Sequence, residues 1–196
     1  MQIKKLILGS ASPRRRELLA GLDLSFTVDT ENNFEENAGS DISPLELPSL
    51  MALGKSHGFH RELSEDEVLV TADTIVVSPD GAHALGKPHT RQEAVEMLTM
   101  LSGKTHTVKT SVVLRDLERE RLFSEVTEVV FAELSQSEIA YYIDTYKPYD
   151  KAGAYAIQEW IGHAGIVSIN GSYFNVMGLP TQSLYRELTA FGVIEL

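Results

Sequence analysis

The stretch Leu6-Ile7-Leu8-Gly9-Ser10-Ala11-Ser12-Pro13-Arg14-Arg15-Arg16-Glu17-Leu18-Leu19 most constrains what this chain can become. Leu6 to Leu8 reads as a buried strand, the small residues after it turn the chain, and Ser12-Pro13 is an N-cap and first-turn pair. A helix therefore begins where the arginines stand. Leu18 and Leu19 are its buried positions, and Gly21 lies where a left-handed C-cap is expected. A strand, a turn and a helix amino terminus form an anion seat, because unpaired backbone N–H groups and the positive dipole end converge there. Arg14, Arg15 and Arg16 in the first turn strengthen it. Taken alone, the same turn also reads as a solvated basic helix start.

Charge narrows the ligand. The net charge of −11 argues against a nucleic-acid polymer as partner, whose grip would need a broad basic surface. A small polyanion remains compatible with clustered cations, namely Arg14 to Arg16 with Lys55, Lys87 and Lys104 near other motifs. The chain has no cysteine, which removes disulfides, thiolate metal sites and a cysteine nucleophile, so any metal would be held by oxygen or imidazole. The apolar run after Met1 to Lys5 is too short for a signal peptide or a membrane span, giving a cytoplasmic expectation with no membrane partner. At 196 residues the chain suits a single domain, 1–196.

Alternating helix and strand signals organise the remainder. Leu24 to Val28 reads as a strand and Thr30 to Asp41 as a mobile acidic loop whose carboxylates could carry a metal. Ser43-Pro44-Leu45-Glu46 has capping-box spacing, with Pro48 and Gly54 expected to interrupt and weaken the helix that follows. Val68 to Val77 is an apolar run interrupted by Thr71, Asp73 and Thr74. A carboxylate inside such a strand costs several kcal/mol unless a metal, a cation or a catalytic duty compensates. Asp73 is thus the leading functional residue, the alternative being a cap for the next turn. Pro79-Asp80-Gly81 reads as a hairpin turn, Thr90 opens a helix that Gly103 ends, and His106 to Leu114 and Leu122 to Phe131 read as an antiparallel pair. Ser135 caps a helix that Pro148 stops. Asp150 to Gln158 is either a tight strand crossing or a pocket wall, Ile161 to Ile169 a strand, and Pro180 opens a last helix.

Seven short motifs occur in order: Ser10-Ala11-Ser12-Pro13-Arg14-Arg15, Ala72-Asp73-Thr74-Ile75-Val76, Gly86-Lys87-Pro88, Ser102-Gly103-Lys104-Thr105-His106, Asp150-Lys151-Ala152-Gly153-Ala154-Tyr155-Ala156-Ile157-Gln158, Asn170-Gly171-Ser172-Tyr173 and Gly178-Leu179-Pro180. Together they resemble the Maf family of nucleotide pyrophosphatases, in particular its dTTP/UTP branch, across almost the whole chain. The periodicities give an α/β fold. The resemblance makes it an elongated mixed β-sheet flanked by helices, in two lobes with a central cleft.

The same resemblance implies hydrolysis of a nucleoside triphosphate, dTTP or UTP and modified pyrimidine nucleotides, to the monophosphate and pyrophosphate. It implies Asp73 as proton acceptor, Lys55 and Lys87 as catalytic cations, and Ser12 and Arg14 on the phosphates. Arg15, Thr74 and Gln158 take the positions that select the substrate. A divalent cation, magnesium or manganese, is implied on Asp73 with Glu36, or its neighbour Glu35, as the loop ligand. Gln158 offers an amide donor and acceptor and Arg15 donors only, which suits the two carbonyls and N3–H of uracil or thymine. A purine-specific inosine or xanthosine triphosphate pyrophosphatase and a nucleotide-binding regulator of septum formation are the rival readings, and a homodimer is compatible with all of them.

Overall fold

The computed structural model describes residues 2–35 and 42–195. Its strands are β1 (Lys5–Leu8), β2 (Phe26–Val28), β3 (Glu67–Val77), β4 (Ala84–Leu85), β5 (Thr105–Arg115), β6 (Glu120–Phe131) and β7 (Ile166–Asn170). Its α-helices are α1 (Pro13–Ala20), α2 (Leu47–His57), α3 (Arg91–Leu101), α4 (Gln136–Tyr146), α5 (Trp160–Gly165), α6 (Tyr173–Met177) and α7 (Thr181–Ala190). The strands form one mixed sheet in the order β2-β1-β3-β5-β6-β7, with β4 added to β3. β2, β1 and β3 run parallel, and every later pairing is antiparallel. Among the described residues no helix is long and apolar enough to cross a membrane.

Two features of β3 create the cleft. First, β1 pairs only with Glu67 to Val70, and β4 takes up the same edge only at Val76 and Val77. Between them lies a notch in the sheet edge, at the carboxyl end of β1, where α1 begins. Ligands of open α/β sheets sit outside such strand ends. Second, the two faces of β3 pack differently, since successive side chains point to opposite sides. On one face Val68, Val70 and Ala72 join a core with α1 and α7, and Val76 joins a second core with α3 and α4. Thr74 lies between the two on that face. On the other face Leu69 meets Ile7, Phe59 and Leu63, and the hydroxyl of Thr71 donates to the Ala52 carbonyl of α2 at 2.8 Å. The core that holds Val70 and the core that holds Val76 thus lie on either side of Thr74.

Several local expectations are corrected. Gly21 is right-handed (φ −65°), and Asp23 takes the positive φ instead (56°). The strand expected from Leu24 begins only at Phe26. Ser43 to Glu46 forms a turn rather than a helix start. α2 begins at Leu47, so Pro48 falls in the first turn, where its missing N–H costs nothing, and the helix runs unbroken to His57. The first half of the strand expected over Ile161 to Ile169 is α5. This part lacks β-branched residues after Ile161, and a Cβ at Gly162 would lie 1.7 Å from the Ile157 carbonyl oxygen, so the chain turns tightly there. Strand pairing starts at Ile166, opposite Phe131. The short helix α6, capped by Ser172, follows a segment that the sequence marks only as a turn.

Candidate active site

The notch opens into a cavity of about 860 Å³ lined by Ser12, Arg14, Arg15, Lys55, Asp73, Thr74, Lys87 and Gln158, residues drawn from both ends of the chain. Ser12 caps α1 as its sequence requires, its hydroxyl accepting from the Arg15 N–H at 3.4 Å, and Pro13 occupies the first turn. Arg14 and Arg15 leave this turn in different directions. The Arg14 guanidinium lies 3.0 Å from the Asp150 carboxylate. Arg15 is partly buried, and its guanidinium donates to the Gly178 carbonyl (2.9 Å), the Thr74 hydroxyl (3.0 Å) and the Ser10 hydroxyl (3.3 Å). Arg16 is exposed and does not line the cavity, because the helical turn carries it to the solvent side.

Asp73 and Thr74 are neighbours on β3 and point to opposite faces, yet both reach the cavity because it occupies the unpaired notch. Asp73 is part-buried, and the Lys55 ammonium of α2 donates to its Oδ1 at 2.7 Å. The cation that compensates this strand carboxylate is therefore a lysine one element away, rather than a turn it caps. Lys55 is held in place by a helix that the acidic loop also grips. Asn32 Nδ2 donates to the Lys55 carbonyl (2.6 Å), Asn33 N–H to the Gly58 carbonyl (2.7 Å), and the Phe34 ring covers Gly54. Residues 32–34 of the loop expected to be mobile are thus fastened to α2 and the turn that follows it. Glu36, the expected loop ligand, lies outside the described residues, and Glu35 is exposed and does not line the cavity.

Lys87 follows β4 and is exposed at the cavity mouth. Its loop is tied to the far wall by the Gly153 N–H, which donates to the Gly86 carbonyl at 3.0 Å. Gly153 has φ +67° and sits so close to Val76 that a Cβ would meet its side chain at 2.9 Å. Of the two readings of Asp150 to Gln158, the pocket wall is the correct one. Gln158, which lies in that wall, has its Oε1 buried with no hydrogen-bond partner among the described residues. Lys104 is exposed and away from the cavity.

The structure adds residues that sequence reasoning left aside. Asp150 bridges Arg14 and Lys151, at 3.0 and 2.7 Å. Burial alone would raise its carboxyl, but the hydrogen bonds from Lys151 and Arg14 outweigh that and hold it below the ordinary carboxylate range. Tyr155 lines the wall and bonds His106 Nε2 through its hydroxyl at 2.8 Å. Asp150, Lys151 and Tyr155 lie inside a quoted motif and were readable as candidates. Phe34 carried no local signal, since only the fold brings it over Gly54. Among the described residues no group of three or more His, Asp or Glu side chains is arranged to hold a metal. Asp150 is taken up by Arg14 and Lys151, and Asp73 offers a carboxylate oxygen to the cavity beside the phosphate seat, which matches the way magnesium is bound through one or two carboxylates, water and substrate phosphates.

A mixed sheet whose parallel strand end, helix amino terminus and clustered cations meet in one cleft defines an α/β protein built to hold an anionic ligand. The chain belongs to the Maf-like protein family, whose model matches residues 5–191. It is 52% identical over 184 residues to a protein of Phocaeicola vulgatus named dTTP/UTP pyrophosphatase, with 94% of each chain covered. Proteins of the same name from Porphyromonas gingivalis (46% over 190 residues; 96% of this chain and 94% of that one) and Flavobacterium johnsoniae (44% over 185 residues; 94% of each) are also similar to it.

Proposed function

We propose that this protein hydrolyses dTTP and UTP, and modified pyrimidine nucleotides of the same shape, to the monophosphate and pyrophosphate. The observation that carries this reading is the pairing of opposite chemistries in one cavity. A carboxylate, Asp73, faces the cleft beside the α1 phosphate seat, while Thr74, one strand position away, and Arg15 of α1 line the same space. The similar proteins named dTTP/UTP pyrophosphatase point the same way.

In this reading Ser12, Arg14 and the amino end of α1 bind the phosphate chain, and Lys55 and Lys87 neutralise charge that develops as pyrophosphate leaves. Asp73 accepts the proton of the attacking water, and Lys55 fixes the carboxylate that does so. A divalent ion, magnesium or manganese, held by Asp73 and the phosphates with Glu36 as further ligand, would supply charge neutralisation and a more acidic water. Gln158 and Arg15 read the carbonyl and N3–H edge of the pyrimidine, a pattern that cytosine does not present. Removing such nucleotides before they are incorporated is the cellular role, carried out in the cytoplasm on free nucleotides.

The test is release of pyrophosphate across dTTP, UTP, CTP, GTP, ITP and XTP, with magnesium, with manganese and with chelator. dTTP and UTP are the expected substrates, metal the expected requirement, and monophosphate the expected nucleotide product. Inorganic phosphate with the diphosphate would place cleavage at another bond and sink the reading, as would a preference for ITP or XTP.

A further inference from the structure

The gap between the two cores is filled by a string of polar groups that runs away from the cavity into the protein. Thr110 of β5 lies directly across from Thr74 in the β3–β5 ladder. On its own strand, Val108 and Val112 on either side belong to the two different cores. The Thr110 hydroxyl is 2.9 Å from that of Thr74 and 3.0 Å from the Asn175 carbonyl of α6.

Each hydroxyl has a single proton, and a carbonyl can only accept. If Thr110 gives its proton to the Asn175 carbonyl, Thr74 must give its own to Thr110. The Thr74 oxygen is then left to accept from the Arg15 guanidinium. The reverse order would send the Thr74 proton to the Gly178 carbonyl at 3.4 Å, an oxygen that Arg15 Nε already reaches at 2.9 Å, and would lose the 3.0 Å bond to Asn175. The shorter set of bonds therefore fixes one direction: Arg15 to Thr74 to Thr110 to the Asn175 carbonyl.

Asn175 is completely buried and anchors the far end. Its side-chain amide donates to the Val108 carbonyl (3.1 Å) and to the Thr127 hydroxyl (2.9 Å), which in turn donates to the Ser172 carbonyl (3.1 Å). The same helix end presents the Gly178 carbonyl to Arg15, since the Gly178 N–H donates to the Phe174 and Asn175 carbonyls. The anchor thus sets both the Gly178 carbonyl and, through Thr110 and Thr74, the hydroxyl on which the guanidinium rests.

We infer that Thr110, anchored by Asn175, is a positioning residue for base selection, holding Arg15 in its reading pose by fixing the direction of the Thr74 hydroxyl. This rests on the proposal above that Arg15 selects the base. In Thr110→Val the Thr74 proton has no partner on β5 and turns to the Gly178 carbonyl, where it competes with Arg15 Nε. The UTP to CTP ratio of kcat/KM should then fall about tenfold, with KM for UTP raised and kcat within about twofold, since the phosphate seat and Asp73 are untouched. Thr110→Ser keeps the hydroxyl and should restore the ratio. In an Arg15→Ala background, Thr110→Val should change the ratio no further, because residues acting through one another are not additive.

A wild-type protein without preference for UTP over CTP, or an Arg15→Ala variant that keeps that preference, removes the reading of the site and the inference with it. Arg15→Ala that loses the preference while Thr110→Val keeps it overturns the inference alone. So does a Thr110→Val effect of full size in the Arg15→Ala background.

Discussion

Asp73 shows what a single residue reveals about this site. A carboxylate inside an apolar strand signals a compensating partner, and the partner is Lys55 at 2.7 Å. In Asp73→Asn the amide is nearly isosteric and still accepts from Lys55, but it cannot take a proton from water or hold a cation firmly. Turnover of dTTP should fall on the order of 10²-fold or more in kcat, with the melting temperature little changed. Near-normal turnover in a folded variant would assign the carboxylate a structural duty. Arg15 is legible in the sequence as part of a basic anion seat, but its role in selecting the substrate, and Thr74 altogether, come only with the motif resemblance, because a strand threonine says little by residue type alone. Thr110 and Asn175 carried less signal still. Alternation marks Thr110 as a β5 position among valines, and only the pairing of β3 with β5 places it against Thr74.

At the scale of elements, strong periodicity specifies structure and local exceptions escape it. β3, β5, β6, α3 and α4 fall where the patterns put them, because long amphipathic runs and caps such as Ser135, which bonds the Glu138 N–H, specify them locally. α2, α5 and α6 depart from the patterns for local reasons that periodicity does not carry: Pro48 falls in a first turn, Gly162 lies against the Ile157 carbonyl, and Ser172 caps a single short turn. Gly54 shows the difference. Helix propensity alone says Gly54→Ala should stabilise α2 by about 1 kcal/mol. In the fold an added Cβ would sit 2.3 Å from the Phe34 ring. Gly54→Ala should therefore fail to raise the melting temperature and should raise KM for dTTP, because Phe34 lines the cavity and has to move. A clear gain in stability with unchanged KM would show that the ring yields freely.

At the scale of the whole molecule, the second core contains a titratable group that ties stability to pH. His106 is 2% exposed, packed edge-on against Phe131 and Tyr155, and burial lowers its pKa from 6.5 to about 4. The unfolded chain therefore takes up this proton first as pH falls. The native state has its full stability above about pH 6.5 and loses it progressively down to about pH 4, where the imidazole protonates even when folded. A gap of this size is worth about 3 kcal/mol once both limits are reached. His106→Phe should flatten the fall in urea midpoint between pH 6.5 and 4.5, and an unchanged slope would assign it to other groups. Below that window a second loss is expected from Glu67, whose carboxyl the forked bonds from Arg61 hold at about 2.

The notch in β3 also limits which changes of chain length the protein can absorb. Asp73 and Thr74 are consecutive residues about 3.3 Å apart along the strand, and they face opposite sides of the sheet. Shifting a strand by one position exchanges its two faces. With the pairing of Val70 kept, a single residue inserted or deleted between Val70 and Asp73 would therefore turn the carboxylate toward the Arg15 side and the hydroxyl toward the Lys55 side. At the turn between β5 and β6, by contrast, an added residue would strain the bonds that buried Asp116 makes to Lys4 and Arg119 and cost stability, but it would not touch the cavity. In β3, the spelling of the chain is fixed to the letter.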